Sequence, residues 1–132
     1  MADSGTFQCS IVTPEGAVLE CEANFVALPA WDGEVGILRN RAPLLCRLGI
    51  GSLRIETPGD NHILFVDGGF AEMAANKLTV LTSAARLPEE LDASEIAKIR
   101  EEARGMAVRD EASFKARQDA LERARVQKKL VR

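Results

Sequence analysis

The stretch SLRIETPGDNHILFV, Ser52 to Val66, decides how the first two thirds of the chain are read. Its opening residues alternate, so Leu53 and Ile55 face one way while Arg54 and Glu56 face the other, the period-two pattern of a half-buried strand. Pro58-Gly59 then suits a type II turn, because proline fixes φ at the first corner and glycine supplies positive φ at the second. Ile63-Leu64-Phe65-Val66 returns almost wholly apolar, so a hairpin is the simplest reading. His62 is the single histidine. It falls just past the turn and reads as a solvated turn residue.

The same texture extends outward on both sides. Phe7 to Val12 begins with alternation and stops at the turn Thr13-Pro14-Glu15-Gly16. Ala17-Val18-Leu19 and Asn24 to Leu28 are short and apolar, and Pro29 closes the second. Gly49-Ile50-Gly51 reads as a bend between strands, and Gly68-Gly69 breaks the chain again. Phe70 to Ala74 and Leu78 to Thr82 follow, separated by Ala75-Asn76-Lys77. Short strands with regular Pro/Gly punctuation indicate a β-sandwich or barrel.

The period changes near Pro88. Beyond it there is no further proline and one glycine, Gly105. Asp92 and Ser94 are both suited to cap a helix. Ile96, Ile99, Ala103 and Met106 then recur on one seam. Asp110 is placed to cap a second helix, where Ala112, Ala116, Ala120 and Ala124 form a small-residue stripe flanked by Phe114 and Leu121. Two short amphipathic helices make a helical hairpin. Isolated helices of this length are marginal in water, so the hairpin needs another surface. The fold class is therefore α+β, with residues 1–87 a β domain and 88–132 a helical hairpin.

The 132 residues carry a net charge of −3, which leaves no nucleic-acid footprint. That charge is uneven: residues 1–86 hold 6 Lys/Arg against 10 Asp/Glu, and residues 87–132 hold 11 against 10. After Glu122 there are only cations, Arg123, Arg125, Lys128, Lys129 and Arg132. No window approaches ~18 apolar residues and no apolar run follows a basic start, so neither a membrane span nor a signal peptide is expected. Any membrane association goes through a partner. Cys9, Cys21 and Cys46 stand at no metal-like spacing. They read as small buried hydrophobes in a reducing compartment, although spacing alone also permits a Cys9–Cys21 disulfide. No phosphate-binding loop with its lysine and no nucleophile–base set is present, so the reading is non-enzymatic, with no cofactor and no metal.

A second stretch, WDGEVGILRNRAPLL (31–45), has an acidic Gly-rich segment and a basic Pro-bounded one around Ile37-Leu38. Asp32-Gly33-Glu34-Val35-Gly36-Ile37-Leu38-x-x-x-Ala42-Pro43-Leu44-Leu45 resembles the epsilon subunit of F-type ATP synthases. The likeness continues through Gly49-x-Gly51-x-Leu53-x-Ile55, Gly68-Gly69-Phe70-x-Glu72 and Asn76-x-Leu78-Thr79-Val80-Leu81-x-x-x-Ala85. It covers residues 6 to about 92, with the motifs in order before a two-helix tail.

The resemblance implies a ten-stranded β-sandwich followed by a helical hairpin. It also implies a rotor-stalk subunit of a proton-translocating synthase, peripheral on the cytoplasmic face of the bacterial inner membrane. The sandwich would grip the gamma subunit and touch the polar loops of the membrane rotor ring. Asp32, Gly33, Glu34 and Gly36 would form a loop at the sandwich edge facing the ring, with Glu34 the polar contact. Ile37 and Leu38 would return to the core, and Arg39 to Pro43 would turn toward the stalk. Arg41 stands where the family usually has histidine, so a role resting on imidazole does not carry over. The helices would inhibit ATP hydrolysis, with Arg123, Arg125 and Lys128 meeting an acidic segment of the catalytic beta subunits. Some members bind ATP through Ile/Leu-Asp-x-x-Arg-Ala. Here Leu91 and Asp92 match, but Glu95 and Ile96 stand in place of Arg-Ala, so nucleotide binding is not expected and Asp92 reads as an N-cap. The rival from another class is a free-standing β-sandwich binding module with a helical dimerisation tail.

Overall fold

A computed structural model describes residues 5–132. Eight strands are followed by two helices: β1 Phe7–Thr13, β2 Gly16–Ala23, β3 Phe25–Ala30, β4 Gly33–Leu38, β5 Leu44–Glu56, β6 Asn61–Ala74, β7 Lys77–Leu81, β8 Ala85–Arg86, α1 Ala93–Arg104 and α2 Glu111–Leu130. A short 3-10 turn, Pro88–Glu90, joins sheet to helices.

The strands pair in the order β2-β1-β7-β6-β5-β3-β4, with β8 on β6. All pairs are antiparallel except β1–β7. The first halves of β5 and the second half of β6 pair in one layer with β7 and β1. Their other halves pair with β3 and β8 in the second layer. The fold is thus the expected β-sandwich with a helical pair, but with eight strands instead of ten. The reason is physical continuity. β5 passes through Gly49–Gly51 and β6 through Gly68-Gly69 without ending, where the sequence reading placed breaks.

Gly69 shows what such a bend requires. Its φ is +109°, and an added Cβ would lie 1.9 Å from the Leu81 carbonyl oxygen. Only glycine lets β7 pass so close. A second irregularity lies at Pro29, which sits inside β3 rather than closing it. The β3–β5 register shifts between Ala27 and Ala30, where proline offers no N–H to the ladder.

One core of strand residues fills the sandwich. Phe7, Ile11, Val26, Leu28, Ile37, Leu53, Ile55, Leu64, Val66, Met73, Leu78 and Val80 are all buried within it. Leu53 and Ile55 face inward as their alternation requires. The hairpin turn differs in detail. Gly59 does not take positive φ. Instead the Thr57 N–H donates to the Asp60 carbonyl at 2.8 Å, and the Asp60 N–H donates to Thr57 Oγ1 at 3.0 Å. His62 lies within β6 opposite Ile55 and is half-buried, not a turn residue.

The helices start where expected. Asp92 accepts from the Ser94 N–H at 2.8 Å, and Asp110 accepts from the Ser113 N–H at 2.8 Å. Their predicted apolar seams are only partly used. Ile96 and Ala103 are buried, whereas Ile99 and Met106 are exposed. In the alanine stripe Ala124 is buried, but Ala112 and Ala116 face solvent. The second half of α2 lies on the sheet, where Val126 and Leu130 sit beside Ile50, Gly51 and Ser52.

Candidate partner-docking surface

β4 ends the sheet on one side, so its outer backbone edge has no strand neighbour among the described residues. The stretch Asp32–Gly36, expected as a loop, is mostly this strand. Only Trp31-Asp32 turns, and Gly33 enters β4 with φ +148°. Alternation then sets the faces. Val35 and Ile37 point to the core against Leu28 and Val26. Glu34, Gly36 and Leu38 point out, so Leu38 is exposed and does not return to the core as the sequence suggested. Glu34 lies 3.7 Å from the Arg54 guanidinium. Both are exposed, so the pair is worth about 0–1 kcal/mol and leaves the carboxylate accessible. The space above Gly36 is taken by the Phe25 ring, which an added Cβ would meet at 3.0 Å.

Arg41 lies past the opposite end of β4, in the irregular segment that leads to β5. Five residue steps of extended chain separate Gly33 from Leu38, roughly 16 Å. Asp32–Gly36 and Arg41 are therefore two separate features at the two ends of one edge strand. The Arg41 turn is pinned from another loop. The Asn40 N–H donates to Asn76 Oδ1 at 2.6 Å, and Asn76 Nδ2 donates to Asn40 Oδ1 at 3.0 Å. Both asparagines adopt positive φ.

A larger feature escaped sequence reading. On the outer face of the other layer Arg47, Phe70, Leu81 and Val12 stand directly opposite one another across β5, β6, β7 and β1. Phe70 and Leu81 are each 53% exposed, and Leu45, two residues before Arg47, is 71% exposed. Trp31, 68% exposed, joins them through its N–H bond to the Arg47 carbonyl at 3.0 Å. Contiguous exposed aromatic and aliphatic side chains around an arginine are the composition of a docking surface. The available signal was alternation. With Ala71 and Met73 inside, Phe70 and Glu72 must point out.

α2 forms one wall of this surface. Lys115, Asp119 and Arg123 line a depression together with Trp31, Arg47 and Phe70. Arg123 Nε donates to Asp67 Oδ2 at 2.8 Å, tying α2 to β6. Arg125 bonds Glu122 on its own helix, and this bond holds the Glu122 carboxyl below its ordinary range. Lys128 faces solvent. The basic end is therefore not without acids. Two of its three candidate cations already have carboxylate partners in the chain. Asp92 is held below the usual carboxylate range by the Ser94 hydroxyl and then the Ser94 N–H, as an N-cap is.

The family profile described as ATP synthase, Delta/Epsilon chain, beta-sandwich domain matches residues 6–88. A Rhodopirellula baltica protein named ATP synthase epsilon chain is 42% identical over 122 residues, spanning 92% of this chain and 95% of its own length. The chain belongs to the ATP synthase epsilon-chain family. An epsilon chain of Nitratidesulfovibrio vulgaris is 40% identical over 116 residues, 86% of this chain and 87% of the relative. The fold is shared further afield. A chain in the cryo-EM structure of Euglena gracilis mitochondrial ATP synthase, OSCP/F1/c-ring in rotational state 1, superposes with TM-score 0.84 at 23% identity, covering 98% of this chain and 83% of that one. A chain of the Tetrahymena thermophila mitochondrial ATP synthase central stalk and c-ring gives 0.69 at 15% identity, covering 95% and 96%. The family match spans the whole sandwich, and the relatives, aligned over 86–92% of this chain, extend it into the helices.

Proposed function

We propose that this chain is a non-catalytic rotor-stalk subunit that couples a membrane rotor ring to the catalytic head of an F-type ATP synthase. The observation that carries the reading, beside family membership, is the exposed row Leu45, Arg47, Phe70 and Leu81 with Trp31 next to it. A row of this kind on a sandwich wants a protein partner, and the gamma subunit is the partner proposed for it. The edge strand β4, with Glu34 projecting beside the Trp31-Asp32 turn, is the surface proposed for the polar loops of the ring. Arg41 is assigned to the stalk side. Among the described residues no helix is long and apolar enough to cross a membrane. Attachment at the cytoplasmic face of the bacterial inner membrane is proposed to run through these partners.

The helical hairpin is proposed to restrain ATP hydrolysis, with Lys128 and, once released from their present partners, Arg123 and Arg125 meeting acids of the beta subunits. The test begins with the row. Phe70→Glu and Leu81→Glu alter exposed side chains, so each should leave thermal stability nearly unchanged. Each should weaken co-purification with gamma at least about tenfold, the cost of losing a central apolar anchor. Undiminished gamma binding by the double variant would refute this assignment. A chain that self-associates through its helices and never brings gamma would support the rival binding module.

A further inference from the structure

Register places two cysteines face to face. Cys9 of β1 and Cys21 of β2 are direct antiparallel partners on the same, inward side of the hairpin. Directly opposed antiparallel residues have Cα atoms about 4.5 or 5.5 Å apart depending on their place in the ladder. Both values fall inside the range of about 4.4–6.8 Å that disulfides span. The side chains lie close enough for each thiol to bear on the titration of the other: Cys21 helps raise Cys9, and Cys9 opposes the rise at Cys21. The two differ in access. Cys9 is buried in the core, whereas Cys21 is half-buried at its margin, on the strand that ends the sheet.

We propose that Cys9 and Cys21 are a reversible dithiol–disulfide modification site on the β1–β2 edge hairpin, oxidised by low-molecular-weight disulfides. Cys21 reacts first, since it is the sulfur a reagent reaches. Its thiolate attacks one sulfur of the reagent, forms a mixed disulfide, breaks the reagent S–S bond and releases one thiol, which takes up the displaced proton. Cys9 then gives its proton to solvent and attacks Cys21 Sγ. That step forms the Cys9–Cys21 bond, breaks the mixed disulfide and releases the second thiol. Two electrons pass from the protein dithiol to the reagent, and two reagent thiols result. Burial pushes the Cys9 thiol up to about 12. The resolving step should therefore be the slow one and should accelerate with rising pH. For Cys21 burial raises the thiol and Cys9 only partly opposes it, so the first attack should also quicken as pH rises, and access is what makes Cys21 the first to react. Oxidation would fasten the outermost strand to β1, which itself lies against β7.

The site is tested with the full chain in mixtures of reduced and oxidised glutathione, quenched with acid, alkylated under denaturing conditions and read by mass spectrometry. The oxidised chain should lose two of its three alkylatable thiols. Its digest should contain one linked peptide joining Cys9 to Cys21, with Cys46 alkylated. Excess reduced glutathione should restore all three. Cys9→Ala should trap Cys21 as a glutathione adduct, and Cys21→Ser should leave Cys9 unmodified while the chain stays folded. Hydrogen exchange of β2 amides should slow on oxidation in the native chain. Cross-linking that appears only in denaturant would overturn the proposal. So would adducts on Cys21 and Cys46 at equal rates with no link to Cys9.

Discussion

Gly69 and Asp92 show how differently single residues constrain this chain. At Gly69 a methyl group would collide with the backbone of β7, and the left-handed φ penalises any side chain besides. Gly69→Ala should therefore lower stability by at least about 2 kcal/mol in denaturant titration, with no change in surface chemistry. A loss below about 0.5 kcal/mol would mean that β7 moves aside freely. Asp92, Asp110 and Glu122 act through charge. All three carboxyls are held below their ordinary range, by Ser94, by the Ser113 N–H and hydroxyl, and by Arg125. A lowered native value means that the unfolded helix binds protons more readily. The stabilisation is then complete above the ordinary carboxylate range near about 4, and it drains away as pH falls through the native values. Acid titration followed by circular dichroism should show helix signal lost while the sheet persists. Asp92→Asn with Asp110→Asn should flatten that transition. Helix and sheet lost together would contradict it.

Among the elements, α2 has two distinct halves. Its second half is docked by Val126, Leu130 and the Arg123–Asp67 bond, and its first half leaves Ala112 and Ala116 in solvent while Lys115 and Asp119 border the depression beside Phe70. Asp67→Asn should loosen the docked half and expose Ile50–Ser52 to hydrogen exchange, at a cost of about 1 kcal/mol for a partly exposed pair. Unchanged protection would show that apolar contacts alone hold the helix. The structure also complicates charge reversal as a probe of inhibition. Arg123→Glu would set a second carboxylate against Asp67 and release the helix, while Lys128→Glu alters only the outward charge. The two should therefore move ATP hydrolysis by the parent complex differently, and identical effects would argue that the Arg123–Asp67 bond does not hold the helix down. Element types were readable where period was strong. Strands around Leu53 and Ile55, and helices after Asp92 and Asp110, follow from alternation and capping. Continuity was not readable, because Gly49, Gly51 and Gly68-Gly69 look like ends when the partner strands that hold them extended are unseen. The alanine stripe is used only toward its end, at Ala120 and Ala124, for a related reason. A small-residue stripe says that close packing is possible, not that a neighbour is there.

For the molecule as a whole, every member of the main core cluster comes from the strands. Residues 1–87 should therefore fold as a fragment, with denaturation close to that of the intact chain, and should still bring down gamma. An unfolded fragment would mean that the helices complete the sandwich. The proposed docking surface was less legible than the fold. Glu34 and Arg41 stood out by residue type, whereas Trp31, Leu45, Phe70 and Leu81 are apolar and read as core until register shows their side of the sheet. Asp67 gave no sign at all, since its partner lies 56 residues away.

The two long strands have a mechanical consequence. Because β5 and β6 run through both layers, the sandwich cannot open like a book or let its layers slide without breaking ladders in both at once. A load applied along the β4 edge reaches the Phe70–Leu81 face through backbone ladders and the continuous strand β5, not through side-chain contacts alone. The block should therefore be stiff in torsion, and in single-molecule pulling between β4 and β7 it should yield in one step.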